Sequence, residues 1–438
     1  MTKVSQPSRE RRVVLVDGVR TPFMRSGTAY LGLTTYDLAR LALKGLLARN
    51  ALDPEAVGYV VMGTVVQNVA TSNVARDAAL GAGFSHRVPA HTVTMACISA
   101  NQAVTSAAEA IRSGAADIAV AGGVEMLSDV PPQFPLEVRK RLFEAQRYAS
   151  PLDYRKLFAG MSPSDLLPRA PKVAEYSTGE TMGESADKLA ASFGVTREEQ
   201  DAYALRSHQL AAKATGDGIL RDEILPTATP PTFDLHTRDN TVRADSSLEK
   251  LAALKPVFVK PFGTVTAGNS SPLTDGASAV LLMEEETAIA LGYTPKARLG
   301  HYTYVAQDPG EELLLGPAYA TPKVLEQAGV TLREVDVIEI HEAFAGQVLA
   351  VLRALESDTF GRERLGRSGR VGDVDLDRLN RWGGSLSLGH PFGATGTRLL
   401  TTAAHRLEAE DGTLALVTAC AAGGLGHAML VERFEGRA

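Results

Sequence analysis

Thr92-Val93-Thr94-Met95-Ala96-Cys97-Ile98-Ser99-Ala100-Asn101-Gln102-Ala103 passes from a β-branched run, through a cysteine, into an alanine-rich stretch. The pattern predicts a strand over 92–95, a turn at Cys97 and a helix over 99–112. Working outward, short apolar runs at 13–16, 57–62, 118–121 and 277–283 read as further strands. Residues 38–49 and 322–328 read as helices. Strands alternating with helices argue for α/β layers around buried sheets.

The chain is also self-similar. Residues 57–67 have a counterpart in 335–347, each following a helix and a short acidic turn. Residues 117–125 match 413–424 in a strand followed by Gly-Gly. The first ~130 residues and the last ~150 therefore read as two copies of one unit, with chance similarity as the alternative. Between them, 131–255 is rich in proline and charge, with helical periodicity at 136–147 and 197–213. The expected division is 1–130 with 256–290 as one half, 131–255 as a mostly helical loop domain, and 291–438 as the other half.

A chain of 438 residues exceeds the usual single core. Hydrophobic content of 45% and charged content of 22% are those of a globular protein. A net charge of −6 leaves no electrostatic footprint for nucleic acid. Two cysteines, Cys97 and Cys420, cannot form a disulfide framework, so a reducing compartment, the cytoplasm, is expected. Residues 1–12 are polar and read as no secretory signal. The C-terminal Glu-Gly-Arg-Ala is not a peroxisomal tripeptide.

Four places carry candidate chemistry. Cys97 is expected beside a helix N-terminus, where amide protons favour thiolate. Free cysteine is also a common core residue, so the thiol alone decides nothing. His390 stands in Gly-His-Pro-Phe-Gly, with five glycines over 383–396 that allow close approach of another chain segment or a ligand. His341 ends the predicted strand 335–340, where open α/β sheets place sites; a solvated strand end is the alternative. Cys420 lies in Ala-Cys-Ala-Ala-Gly-Gly at 419–424. Gly122-Gly123-Val124-Glu125 lacks the spacing of a dinucleotide fingerprint.

In order along the chain, these segments resemble the thiolase family, and within it the β-subunit type of fatty-acid oxidation trifunctional complexes. The resemblance rests on Arg20-Thr21-Pro22-Phe23, Cys97-Ile98-Ser99-Ala100-Asn101-Gln102-Ala103, and Thr181-Met182-Gly183 with Glu198-Glu199-Gln200-Asp201. It continues through Thr266-Ala267-Gly268-Asn269-Ser270-Ser271, His341-Glu342-Ala343-Phe344, Gly389-His390-Pro391 and Cys420-Ala421-Ala422-Gly423-Gly424. It implies a five-layered αβαβα core of two similar halves. It also implies that Cys97 carries the acyl group, that His390 takes its proton and that Cys420 is the second acid/base. The amides of Cys97 and Ala422 would form one oxyanion hole, and His390 with a water held by His341 the other. Met182, Arg243 and Ser271 resemble positions that line the CoA tunnel.

Most thiolases have asparagine where this chain has His341, and the trifunctional type has histidine. Ala422 stands where many have glycine. Thr181 stands where acetyl-specific bacterial enzymes tend to carry histidine. The activity implied is CoA-dependent cleavage of 3-ketoacyl-CoA by a ping-pong route, without metal, redox cofactor or PLP; CoA is a substrate. Alternatives are an acetoacetyl-CoA-forming biosynthetic thiolase and a non-catalytic acyl-CoA-binding subunit. A ketosynthase-type enzyme would be expected to lack Cys420. A homodimer or a dimer of dimers is expected, with a hydratase/dehydrogenase α-subunit as a possible partner. Residues 136–158 hold six basic and three acidic side chains among apolar ones. They read as a docking patch for that partner or a membrane surface, or as a solvated cover over the tunnel.

Overall fold

The computed structural model describes residues 11–168 and 174–436. Residues 1–10 and 437–438, and with them most of the polar N-terminus and the last two C-terminal positions, lie outside the described residues. The described residues form twelve strands: β1 (Val13–Arg20), β2 (Met24–Arg25), β3 (Tyr59–Gly63), β4 (Ala90–Val93), β5 (Ile118–Glu125), β6 (Thr227–Thr229), β7 (Asp234–His236), β8 (Thr274–Glu284), β9 (Ala297–Ala306), β10 (Val337–Ile340), β11 (Leu414–Ala421) and β12 (Leu425–Arg433). The large sheet runs β10-β11-β12-β9-β1-β8-β5-β3-β4, with β2 added to β8; β6 and β7 form a separate ribbon.

That order reads the same from both ends. The seam is β1 against β9, joined over only two residue pairs. On one side lie β8, β5, β3 and β4; on the other lie β12, β11 and β10. A bridge from Ile338 to Leu379 stands where β4 stands beside β3. The self-similar segments of the sequence, β3 with β10 and β5 with β11, occupy equivalent places.

Alternation along the strands sorts the cores. In β3, Val60 and Met62 join Leu38, Leu43 and Ala78 of the helices Thr35–Arg49 and Val74–Ala82 on one face. Val61 points the other way, to Val104 and Ile111 of Ser99–Arg112 and Leu400 and Ala403 of Thr395–Ala409. Those two helices also cover Val417 and Met429 of the second half. Ile338 and Leu416 face Val324, Val348 and Val351 of the helices Gly316–Ala328 and Ala345–Glu356. The result is helix, sheet, helix, sheet, helix. Strands covered on both faces can be apolar throughout, and β8 is buried at all 11 positions.

Several boundaries differ from expectation. The strand expected over 92–95 is β4, Ala90–Val93, because its parallel register with β3 ends at Gly63 opposite Val93. The strand expected from 57 starts at Tyr59, and the one expected from 335 starts at Val337. The helix expected from Pro322 begins at Gly316, with Pro317 in its first turn and Pro322 in its interior. The region expected as one loop domain divides. Residues 129–168 belong to a separate compact unit, whereas 174–255 belong to the main body. There the helices Met182–Ser192 and Arg197–Gly216 pack against Ala345–Glu356.

Within the small unit, Leu136–Ala145 and Arg155–Phe158 are helical. Arg141 pairs with Glu137 at 3.1 Å and donates to the carbonyl of Ala159 at 2.5 Å. Leu142, Phe143 and Phe158 are exposed, whereas Leu157 is buried. Arg141 and Leu157 thus hold the unit together and drop out of the patch expected there. Arg139, Lys140, Arg147, Arg155 and Lys156 remain exposed in the same segment as the three apolar side chains.

Candidate active site

Loops from both halves meet at the C-terminal ends of β4, β5, β10 and β11. Cys97 lies in the turn between β4 and the helix Ser99–Arg112. Ser99 ties that turn, accepting from the Met95 amide at 2.8 Å and donating to the Ala96 carbonyl at 2.7 Å. Ala96 takes φ +48°, a left-handed conformation that costs an L-residue about 1–2 kcal/mol. The turn is held in it by the packed strand and helix on either side.

The His390 loop is strapped across the other half. Its amide donates to Thr274 Oγ1 at 3.1 Å, and Gly393 donates to Glu125 Oε2 at 2.9 Å. Gly393 passes so close to β5 that a Cβ at Gly123 would lie 1.7 Å from its carbonyl oxygen. The Gly-Gly of β5, which fits no nucleotide fingerprint, therefore serves close approach of this loop. Glu125 also accepts from the amides of Val65 and Val66. Burial pushes its carboxyl up to about 7, against those three amides.

His341 follows β10, its amide donating to Thr418 of β11 at 2.9 Å. Cys420 lies near the end of β11, and Ala422 just beyond it. Donor atoms of Cys97, His341 and His390 all lie within 4.8 Å of one another. The two imidazole rings are 4.0 Å apart, tilted by 44°. The Cys97 sulfur is approached by the backbone amides of Ala422 and of Cys97 itself. Cys420 is close enough for charge on Cys97 to raise its own pKa. Cys97 is half-buried and Cys420 buried, both as free thiols.

The helix N-terminus does not by itself hold Cys97 as a thiolate. Burial pushes the Cys97 thiol up to about 12, opposed by the Ala422 amide and reinforced by Glu125. Burial raises Cys420 likewise. Burial, with Arg398 adding, lowers His341 to about 3; burial, His341 and Arg398 hold His390 well below its ordinary value. Both imidazoles are neutral at physiological pH, so the histidine at 341 does not act as a charge switch there.

Hydrogen bonding sets which nitrogen faces the site. Thr395 Oγ1 donates to the Pro391 carbonyl at 3.1 Å, so it accepts from His390 Nδ1 at 2.6 Å. His390 Nε2 then carries a lone pair. Ser385 Oγ accepts from Arg398 Nη2 at 2.9 Å and has its own proton for His341 Nδ1 at 2.9 Å. That leaves His341 Nε2 protonated, a donor. Both Nε2 atoms are buried without a protein partner. One acceptor and one donor beside two thiols is an arrangement for moving a proton and holding an oxyanion or water.

Sequence reasoning missed Ser385, Thr395, Glu125 and Glu342. Glu342 accepts from Tyr203, Ser207, Asn380 and the Leu386 amide, binding the helix Arg197–Gly216 to the loop before His390. The candidate CoA contacts are more dispersed. Ser271 donates its amide to the Ala343 carbonyl at 3.0 Å, beside His341-Glu342. Met182 packs against the second-half core. Arg243 is exposed, its amide donating to His208 Nδ1 at 3.2 Å. Thr181 is engaged in a capping box with Glu184. An open cleft of about 650 Å³ lined by Glu180, Lys188, Val259, Phe262 and Thr264 includes none of Met182, Arg243 and Ser271.

Residues 13–286 match the thiolase N-terminal domain and 293–433 the thiolase C-terminal domain. The chain belongs to the thiolase family. It is 57% identical over 424 residues to the human mitochondrial trifunctional enzyme subunit beta, covering 97% of this chain and 89% of that one. It is 46% identical over 421 residues to a 3-ketoacyl-CoA thiolase of Yersinia pestis, covering 96% and 97%. Among solved structures, an acetyl-CoA acetyltransferase of Bacillus anthracis superposes with a TM-score of 0.84 at 34% identity, covering 97% of this chain and 99% of that one. Human mitochondrial 3-ketoacyl-CoA thiolase does so with 0.84 at 30% identity and the same coverage. The thiolase fold accounts for the mirrored strand order and the central pair of helices.

Proposed function

We propose that this thiolase cleaves 3-ketoacyl-CoA with CoA, giving acetyl-CoA and a shortened acyl-CoA, in fatty-acid β-oxidation. The observation that carries the reading is the Cys97 sulfur set between two amides and two unpartnered imidazole nitrogens, with Cys420 beside it. The Cys97 proton passes to His390 Nε2 as the sulfur bonds to C3 of the substrate. The C2–C3 bond breaks, and its electron pair leaves with the acetyl-CoA enolate. Cys420 protonates C2. In the second half, Cys420 thiolate takes the proton of incoming CoA, whose sulfur displaces Cys97 from the thioester. His390 returns its proton to Cys97. The amides of Cys97 and Ala422 hold one oxyanion and the His390–His341 pair the other. Each such donor is worth roughly 3–4 kcal/mol of barrier. Protons and electrons balance on the chain's own groups, which supports a reaction needing no metal or redox cofactor.

A steady-state assay across 3-ketoacyl-CoA chain lengths tests the reading, following loss of the enolate absorbance. Turnover of medium or long substrates is expected. Activity confined to acetoacetyl-CoA turns the assignment to the acetyl-specific type, and none at any length overturns it.

The trifunctional β-subunit relatives support assembly with a hydratase/dehydrogenase α-subunit. The free thiols support a reducing compartment, the cytoplasm. Self-association is supported by β4, an edge strand whose residues are all half-buried in the single chain. Light scattering at micromolar concentration is expected to give a dimer or tetramer; a monomeric mass removes it. Arg139, Lys140, Arg147, Arg155 and Lys156, with Leu142, Phe143 and Phe158, are the side chains for partner or membrane contact. Cosedimentation with anionic vesicles, or with an α-subunit, is expected at low salt and lost at high salt. If neither binds and deletion only shifts chain-length preference, the cover reading stands.

A further inference from the structure

We propose that Cys97, His341 and His390 form a binding site for a thiophilic divalent cation, Zn²⁺, whose occupancy holds the enzyme inactive. One thiol and two imidazoles present their donor atoms within 4.8 Å of one another. Zinc takes sulfur at about 2.3 Å and imidazole nitrogen at about 2.0–2.1 Å, in a tetrahedron whose edges are roughly 3.5 Å. Drawing the widest pair together by about 1 Å closes that figure, within the reach of side-chain rotation.

The outer shell can hold both imidazoles in ligating form. A ligating histidine is held by a hydrogen bond at its other nitrogen. His390 Nδ1 is bonded to Thr395 Oγ1 at 2.6 Å and His341 Nδ1 to Ser385 Oγ at 2.9 Å. A serine hydroxyl has two lone pairs, so Ser385 can accept from Arg398 and from His341 Nδ1 together. That releases the His341 Nε2 lone pair for a cation. Both Nε2 atoms are buried and lack a protein partner. On binding, the Cys97 S–H bond breaks, its proton goes to solvent, and the sulfur electron pair bonds to zinc. The fourth position falls to Cys420 or water.

This zinc is an inhibitor and not a resident cofactor, since it occupies the sulfur and the His390 lone pair that the proposed reaction uses. The inhibition rests on that reaction, whereas the ligand geometry does not, so binding and turnover are measured separately. Asparagine at 341 would remove the third soft ligand, which ties the effect to the histidine of this chain.

The test uses the intact chain with Co²⁺ alone as a spectroscopic probe, then Zn²⁺ in competition. One Co²⁺ per chain is expected, with intense tetrahedral d–d bands and a sulfur-to-cobalt charge-transfer band. Zn²⁺ should displace it with one equivalent, and thiolysis should fall in parallel and return with chelator. Cys97→Ala should remove the charge-transfer band. His341→Asn should weaken Zn²⁺ binding on the order of 100-fold or more, at least the loss that outer-shell changes bring. Exposed His86 serves as control, and His86→Gln should leave the affinity unchanged. Weak octahedral bands, or equal Zn²⁺ affinity in the unaltered chain, Cys97→Ala and His341→Asn, overturn the proposal. Zinc binding without turnover would retain the site and discard the assigned reaction.

Discussion

With alanine in place of Cys97, thiolysis falls by on the order of 10⁵-fold or more, the scale seen when a covalent nucleophile is removed. The thiol is the single group that both bonds to C3 and is later displaced by CoA. Its surroundings make the loss hard to bypass. A water in its place would meet the same amides of Ala422 and residue 97, but would yield no thioester for CoA to attack. The raised thiol pKa, about 12, means that the proton leaves as the carbon–sulfur bond forms. The gain then comes from the amides meeting the new oxyanion, rather than from a standing thiolate. Incubation with acyl-CoA and no free CoA should leave an acyl mass on the peptide containing Cys97 in the unaltered chain and none in Cys97→Ala. The exchange is small in volume, so circular dichroism should be unchanged. The same adduct persisting in Cys97→Ala would place the nucleophile elsewhere.

What the sequence made legible was what local pattern can carry. The strand–cysteine–helix passage at 92–112 is contiguous, and its apolar periodicity switches at the cysteine, so the turn is readable without a partner. His341 was legible for a related reason, since a polar residue at the end of an apolar run marks the mouth of a sheet. Even there the strand slid two residues, because Gly63 and Val93 end their pairing together, which neither segment announces alone. The balance that sets the ionisation of Cys97 was not legible, because helix dipole and burial oppose each other, and burial is a property of the folded core. The tautomers were out of reach altogether. They depend on Thr395 and Ser385 hydroxyls, on Arg398, and on a loop fixed by a bond between Glu125 and Gly393, 268 positions apart. Such bonds leave no periodicity. The division within 131–255 was out of reach likewise: the helices of 182–216 look like the charged helices before them, and Glu342, far along the chain, ties the second of them into the main body.

Serine at 420 should separate the two halves of the reaction. Cys420→Ser is expected still to acylate at Cys97 from acyl-CoA, because the new thioester asks only for the Cys97 sulfur, His390 and the amides, and the departing CoA thiolate can take its proton from solvent. It should lose exchange of acetyl-CoA α-protons with deuterated water by about 10²–10⁴-fold, the range of a positioned acid/base. The cause is the proton and not the shape. A hydroxyl has nearly the bulk of a thiol but a far higher pKa, and burial raises both. In the native site the Cys420 thiol is itself pushed up by burial and by charge on Cys97. Exchange at the unaltered rate in Cys420→Ser would remove Cys420 from the mechanism and leave His390 as the sole base.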